Sequence, residues 1–108
     1  GQILFWEEVG EPAYRLDRML THLELSGTLT GLLGTVIGRV VASDGESGWG
    51  SERKPAGGES GGICRGRPTV WGVASGHTVP NLTLPLGALV ELDASRQLLV
   101  PLEPSEAP

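Results

Sequence analysis

The sequence predicts an α/β fold: a small layered domain with a mixed sheet, one main amphipathic helix and a C-terminal hairpin. Three observations lead to this class. An apolar run at 3–6 precedes a helix-like pattern at 13–26, and a strand, a short loop and an amphipathic helix in that order are typical of an α/β unit. A stretch rich in β-branched residues follows at 35–42, and two apolar segments at 84–93 and 97–102 flank a turn. The 108 residues have the length of one domain, which we assign to 1–108 as a whole.

The first strand is predicted at 2–6, which contains four consecutive large apolar residues at 3–6. Glu7 and Glu8 follow it directly, and we expect the strand to end there. Residues 9–12 then form a turn, with Pro12 at the first position of the helix.

The helix is predicted over 13–26 because apolar residues recur there every three or four positions. Gly27 supplies the left-handed residue that ends it. We expect one more helical turn at 29–33 and a second strand at 35–42. The apolar stripe of the helix consists of Leu16, Met19, Leu20 and Leu23.

Residues 43–67 have a different composition. They contain eight of the 17 glycines, four serines and eight charged residues, with few apolar side chains. Such a segment buries too little surface to offset the entropy lost on ordering, so it is predicted to be a Gly/Ser-rich mobile loop with little regular structure.

The remaining elements are short. A strand is predicted at 69–73 and another at 84–93. A turn at 94–96 then leads into a last strand at 97–102, which makes a hairpin, and the tail at 103–108 is expected to fray.

Charge and cysteine content exclude several function classes. Thirteen acidic against eight basic residues leave a net charge of −5, which disfavours nucleic acid as a partner. One cysteine, Cys64, excludes an internal disulfide and a four-cysteine zinc site. The longest uncharged stretch, 68–90, contains three prolines and several polar residues, so it is not a membrane helix and no membrane partner is expected. Because the chain begins with glycine, we expect it to be a piece of a longer protein.

Two residue types suggest chemistry. Glu7 and Glu8 follow a buried strand, and His77 follows another strand in a Ser-Gly-His turn whose glycine allows close approach. A carboxylate and an imidazole at neighbouring strand ends are suited to the acid and base of a hydrolytic triad. Solvated loop residues without a catalytic role would give the same pattern.

Two longer motifs carry a family resemblance. The stretch ILFWEEVGEPAYRLDRML at 3–20 resembles the start of the C-terminal domain of the LD-carboxypeptidases, the muramoyltetrapeptide carboxypeptidases and their microcin-C-cleaving relatives. The stretch GHTVPNLTLPLG at 76–87 resembles the histidine motif of the same family. The resemblance covers most of the chain except 43–67, where the family has a helix. A natural flexible lid and a local shift of reading frame remain alternatives for that segment.

The resemblance implies a swivelling β/β/α domain and a Ser-His-Glu triad in which Glu7 and His77 are the catalytic residues of this chain. Glu8 is then a neighbour, because adjacent strand residues point to opposite faces. The serine belongs to an N-terminal nucleophile-bearing domain, so the isolated chain is expected to be inactive. The implied enzyme is cytoplasmic, needs no metal or organic cofactor, forms homodimers and releases a terminal D-amino acid from murein tetrapeptide during cell-wall recycling.

Two other functions remain open at this point. One is the cleavage of a peptidyl-nucleotide antibiotic, as in the microcin-C-cleaving relatives. The other belongs to a different class: a non-catalytic remnant that serves as an interaction or dimerisation module.

Overall fold

The computed structural model describes residues 1–42, 48–49, 61–64 and 66–102. It has the predicted α/β class, with a parallel sheet at its centre, one main helix and a C-terminal antiparallel hairpin. The elements in chain order are β1 (Gln2–Glu11), α1 (Ala13–Leu25), β2 (Leu32–Ala42), β3 (Gly48–Trp49), α2 (Gly61–Cys64), β4 (Thr69–Trp71), β5 (Val90–Asp93) and β6 (Leu98–Pro101). Among the described helices, neither is long and apolar enough to cross a membrane.

Strand β2 is the centre of the main sheet. Strand β1 pairs with one of its edges in parallel, and β4 pairs in parallel with residues 35–37 on the other edge. Strand β3 pairs antiparallel with residues 40–41 further along that second edge, which makes the sheet mixed. Thr35, Val36, Ile37 and Val40 are at most 1% exposed, as expected for a parallel strand covered on both faces.

Helix α1 packs its predicted stripe against one face of the sheet. Leu16 and Leu20 are buried and Met19 and Leu23 are half-buried. The helix ends as its sequence predicts, with Gly27 at φ 79°. The core on this face contains Leu16, Leu20, Leu29, Ile37, Val40 and Ile63.

The side chains of β1 divide between the two faces of the sheet. Leu4 and Trp6 pack against the core under α1. Because successive strand residues point to opposite faces, Phe5 and Glu7 lie on the face away from the helix. Both of them lie beside Gly38 of β2, where an added Cβ would come within 2.9 Å of the Glu7 Cβ and 3.3 Å of the Phe5 ring.

The β5–β6 hairpin covers part of this second face. A Cβ added to Gly34 of β2 would lie 3.2 Å from the Leu92 side chain of β5. The domain therefore has helices on one side of the main sheet and the hairpin on the other.

Gln97 joins the hairpin to the outer edge of β4. Its Oε1 accepts a hydrogen bond from the Trp71 N–H (2.9 Å), and its Nε2 donates to the carbonyl oxygens of Thr69 (2.9 Å) and Ala94 (2.7 Å). Trp71 N–H and Thr69 C=O are neighbours on one strand edge, so the side-chain amide takes the place of a paired strand there.

The prediction that β1 ends before Glu7 is wrong. The strand continues to Glu11 because β2 extends beside it as far as Ala42. Pairing continues past two irregularities of register, one between Trp6 and Glu8 and one between Val9 and Glu11. Residues 9–11, predicted as a turn, belong to this strand.

Two further predictions of elements fail for local reasons. Residues 29–33 do not form a helical turn, because Gly31 has φ 77° and β2 begins at Leu32. The strand predicted at 84–93 forms only at Val90–Asp93, after Gly87 at φ 80°.

The segment 43–67 is described only at 48–49, 61–64 and 66–67, and these residues include β3 and α2. The prediction of little regular structure therefore does not hold at these positions. Ile63 of α2 is 0% exposed, and burying so large an aliphatic side chain stabilises the ordered turn around it. The rest of the segment, like the tail at 103–108, lies outside the described residues.

Candidate active site

Glu7 lies inside β1 and is held close to the sheet. It occupies an irregularity of the pairing with β2, between Trp6 and Glu8. Its side chain is 18% exposed. Gly38 on the neighbouring strand leaves the space that the carboxylate arm occupies, since any side chain there would meet the Glu7 Cβ.

His77 follows β4, which lies two strands away from β1 and Glu7, on the other edge of β2. Strand β4 ends at Trp71, which is paired with Ile37 of β2, and Ile37 in turn is paired with Trp6 of β1. The three strands are therefore level at the point where β4 ends, and Glu7 is the next residue of β1. Two strand spacings, about 10 Å, separate β4 from β1, a distance that the few residues leading to His77 can span.

The imidazole and the carboxylate are in direct contact. His77 Nδ1 lies 2.9 Å from Glu7 Oε2 and 3.2 Å from Oε1. The backbone N–H of His77 also donates to Glu7 Oε2, at 3.3 Å. Because a carboxylate can only accept, Nδ1 carries a proton, and Nε2 is the acceptor of the neutral ring. The arrangement is that of a base and the acid that orients it.

The electrostatics of the pair favour a protonated ring. The hydrogen bond that His77 donates to Glu7, together with the negative charge of Glu7, raises the pKa of His77 above the ordinary value of 6.5. Desolvation opposes this shift, and the charge of Glu8 adds to it slightly. An imidazole with raised proton affinity is better suited to accept a proton during a reaction.

The loop that carries His77 is held by its own hydrogen bonds. The Leu82 N–H donates to the Ala74 carbonyl oxygen (2.6 Å), and the Gly76 N–H donates to Asn81 Oδ1 (2.9 Å). Gly76 has φ 102°, and a Cβ there would lie 2.6 Å from Glu7 Oε2. The glycine is therefore required both by the backbone conformation and by the carboxylate.

Four other residues of types that occur in catalytic sites form no hydrogen bond with this pair. Glu8 Oε1 accepts the Val9 N–H (3.1 Å). Ser75 is buried at 8% exposure, and Cys64 packs against the core on the helix side of the sheet. His22 is exposed on α1. Within the described part of the chain, no three His, Cys, Asp or Glu side chains are grouped as metal ligands would be.

Sequence reasoning missed two residues of the site. From the sequence, Gly38 is only one residue of a predicted strand, although an isolated glycine in a strand marks a place where another group approaches closely. Asn81 gave no usable signal, because its contact with Gly76 depends on the path of the loop.

Comparison with known proteins gives one family. The family model for the LD-carboxypeptidase C-terminal domain matches residues 1–92. The chain is 30% identical over 103 residues to a Bacillus subtilis protein named a probable murein peptide carboxypeptidase, covering 93% of this chain and 31% of that protein.

Two other relatives carry the name carboxypeptidase. One, from Streptomyces coelicolor, is 37% identical over 94 residues, which is 87% of this chain and 29% of that protein. The other, from Synechocystis sp., is 36% identical over 93 residues, which is 84% of this chain and 30% of that protein. The chain thus spans about a third of the length of these relatives, and no solved structure matches it with significance.

Proposed function

Since the chain belongs to the C-terminal domain family of the LD-carboxypeptidases, we propose that it supplies the acid and base of a serine carboxypeptidase. Glu7 orients the imidazole and stabilises its charged form, and His77 is the general base. The observation that carries the proposal is the 2.9 Å contact between Glu7 Oε2 and His77 Nδ1. It leaves Nε2 as the nitrogen that exchanges a proton with the nucleophile.

The proposed reaction is hydrolysis of the amide between an L-centre and a terminal D-amino acid in a murein tetrapeptide, in the cytoplasm. A serine hydroxyl attacks the amide carbonyl while His77 takes its proton. The imidazolium then protonates the leaving amine, and the D-amino acid departs. Water activated by the same imidazole releases the acyl group from the serine, and the triad is restored. The name of the Bacillus subtilis relative supports a murein peptide as the substrate.

We assign the nucleophile to another domain of the full protein. Within the described residues, the hydrogen-bonded partner of the His77 ring is Glu7, and no serine, threonine or cysteine side chain is hydrogen-bonded to the ring. The imidazole side chain is 64% exposed, which leaves room beside it for a group from elsewhere. The relatives are about three times as long as this chain, which is compatible with a second domain.

The surface near His77 suits such an association. Several apolar side chains of the following segment are more than half exposed: Val79, Leu82, Leu86 and Leu89. Exposed apolar residues concentrated in one segment are typical of a surface that another domain covers.

The test is to fuse the chain to the N-terminal domain of a family relative and to measure D-alanine release from murein tetrapeptide. We expect His77→Ala to abolish turnover, and Glu7→Gln to lower kcat on the order of a thousandfold or more, because it disturbs the tautomer and orientation of the base. Glu8→Gln is the matched control and should remain near the parent, since its carboxylate bonds its own neighbour.

The proposal fails if the His77→Ala fusion is fully active, or if Glu8→Gln costs as much as Glu7→Gln. Turnover by the 108-residue chain alone would place the nucleophile within it and contradict the two-domain assignment. Cleavage of a peptidyl-nucleotide, with no release of D-alanine from murein tetrapeptide, would contradict the substrate.

A further inference from the structure

The position of the His77 ring depends on its backbone. The side chain is 64% exposed, so packing contributes little to holding it, whereas Glu7 is 18% exposed and fixed against the sheet. Glu7 contacts both the Nδ1 atom and the backbone N–H of His77. A shift of the loop backbone would therefore break both contacts together.

The residue before the histidine is the weakest point of that backbone. Gly76 has φ 102° and no side chain with which to anchor itself. Glycine loses more conformational freedom on folding than any other residue, so its conformation has to be imposed by its neighbours. Residues 74–82 contain no helix or strand that would do so.

Asn81 provides the constraint at this point. Its Oδ1 accepts the Gly76 N–H at 2.9 Å, across the tip of the loop that carries His77. Asn81 is itself exposed, so burial in a core does not explain its place in the loop. The other side-chain bond of the tip, from Thr78 Oγ1 to the Pro80 carbonyl oxygen (2.9 Å), does not involve Gly76.

We propose that Asn81 is a positioning residue for the Glu7–His77 pair: by holding the Gly76 N–H, its carboxamide oxygen fixes the backbone that presents the imidazole to the carboxylate. The effect on catalysis rests on the proposed function. The effect on the geometry of the pair does not, and it is measured separately.

The geometry is tested by following the His77 ring signals of the 108-residue chain by NMR as a function of pH. Glu7→Gln gives the reference titration without the carboxylate. We expect Asn81→Ala to move the His77 midpoint most of the way from the parent value to that reference. Asn81→Asp keeps an acceptor for the Gly76 N–H and should keep the midpoint raised. Thr78→Val, the matched control, removes a bond of the same loop without touching Gly76 and should leave the midpoint in place.

The proposal is overturned if Asn81→Ala titrates like the parent while its amide spectrum shows a folded chain. It is also overturned if Thr78→Val moves the midpoint as far as Asn81→Ala, because general loosening of the loop would then be the cause. In the fused enzyme we expect Asn81→Ala to lower kcat by roughly 10- to 100-fold with little change in KM, as a small misplacement of the base would.

The two proposals fail in different ways. If the NMR midpoints behave as expected but His77→Ala retains activity, the positioning role stands and the proposed function is wrong. If His77→Ala is inactive but Asn81→Ala leaves both the midpoint and kcat unchanged, the proposed function stands and the positioning role is wrong.

Discussion

Gly76→Ala is the substitution that tests the arrangement of the site most directly. The added methyl carbon would lie 2.6 Å from Glu7 Oε2, closer than non-bonded atoms approach, and it would also meet the carboxyl carbon. On its other side Glu7 lies close to β2, since a Cβ added to Gly38 would come within 2.9 Å of the Glu7 Cβ. We therefore expect the carboxylate to turn away from His77 and the contact between them to be lost.

The expected loss of unfolding free energy has two parts, backbone strain and loss of the Glu7–His77 contact. A substitution at Gly87 measures the strain alone. An alanine at a positive φ costs about 1–2 kcal/mol, and an alanine at position 76, where φ is 102°, would incur this cost. Gly87 has φ 80° and no atom within 4 Å of an added Cβ, so Gly87→Ala incurs the same strain without a collision. Both variants should lose about 1–2 kcal/mol of unfolding free energy from strain, and only Gly76→Ala should also lose the Glu7–His77 contact.

The assay combines urea unfolding with the NMR titration of His77. Gly87→Ala should be destabilised but should titrate with the parent midpoint. Gly76→Ala should be destabilised by more, and its His77 midpoint should fall to that of Glu7→Gln. The reasoning is refuted if Gly76→Ala matches Gly87→Ala in both measurements, since the methyl group would then have been accommodated without moving the carboxylate.

Two other predictions concern the hairpin and pH. Gln97→Ala should lower the unfolding free energy by about 1.5–4.5 kcal/mol, since the side chain makes three hydrogen bonds of roughly 0.5–1.5 kcal/mol each. An unchanged urea midpoint would show that the amide does not hold the hairpin. Because Glu7 raises the pKa of His77, the pair stabilises the fold fully below the ordinary value of 6.5 and loses that effect as pH rises through the raised folded value. The stability difference between the parent and Glu7→Gln should thus shrink from about pH 6 towards alkaline pH. The acid limb of kcat/KM in the fused enzyme should lie above 6.5 and return towards it in Glu7→Gln; a limb that does not move would contradict the coupling.

The parts of the fold that the sequence predicts are those governed by local periodicity. The stripe containing Leu16 and Leu20 places α1 correctly because a helix with one apolar face must bury that face. The turn at 94–96 identifies the hairpin for a similar reason, since short polar turns between apolar strands depend on few residues. Both features are set by residues close together in the chain.

The elements that were predicted wrongly depend on partners far away in the sequence. Residues 9–12 read as a turn because they include a glycine and a proline, yet β1 continues to Glu11 because β2 offers backbone groups along that whole length. Ile63 lies in a segment whose composition favours disorder, but one large aliphatic residue at the right place finds the core. Neither partner is visible from the local composition.

In the candidate site, too, some residues can be predicted from the local sequence and others depend on partners far away in the chain. The two motifs single out Glu7 and His77, and adjacency on a strand assigns Glu8 to another direction. The space around the Glu7 side chain has no such signature in the sequence, because it is left by two glycines, which have no side chains. Gly38 leaves room for the Cβ of Glu7, and Gly76 leaves room for the far end of the same side chain. These glycines are distant in the sequence and unremarkable among 17. Only the path of the 74–82 loop, held at Gly76 by Asn81, brings them to opposite ends of the Glu7 side chain. A residue that carries chemistry can thus be found from its type and motif, whereas the residues that make room for it are found only when the fold is known.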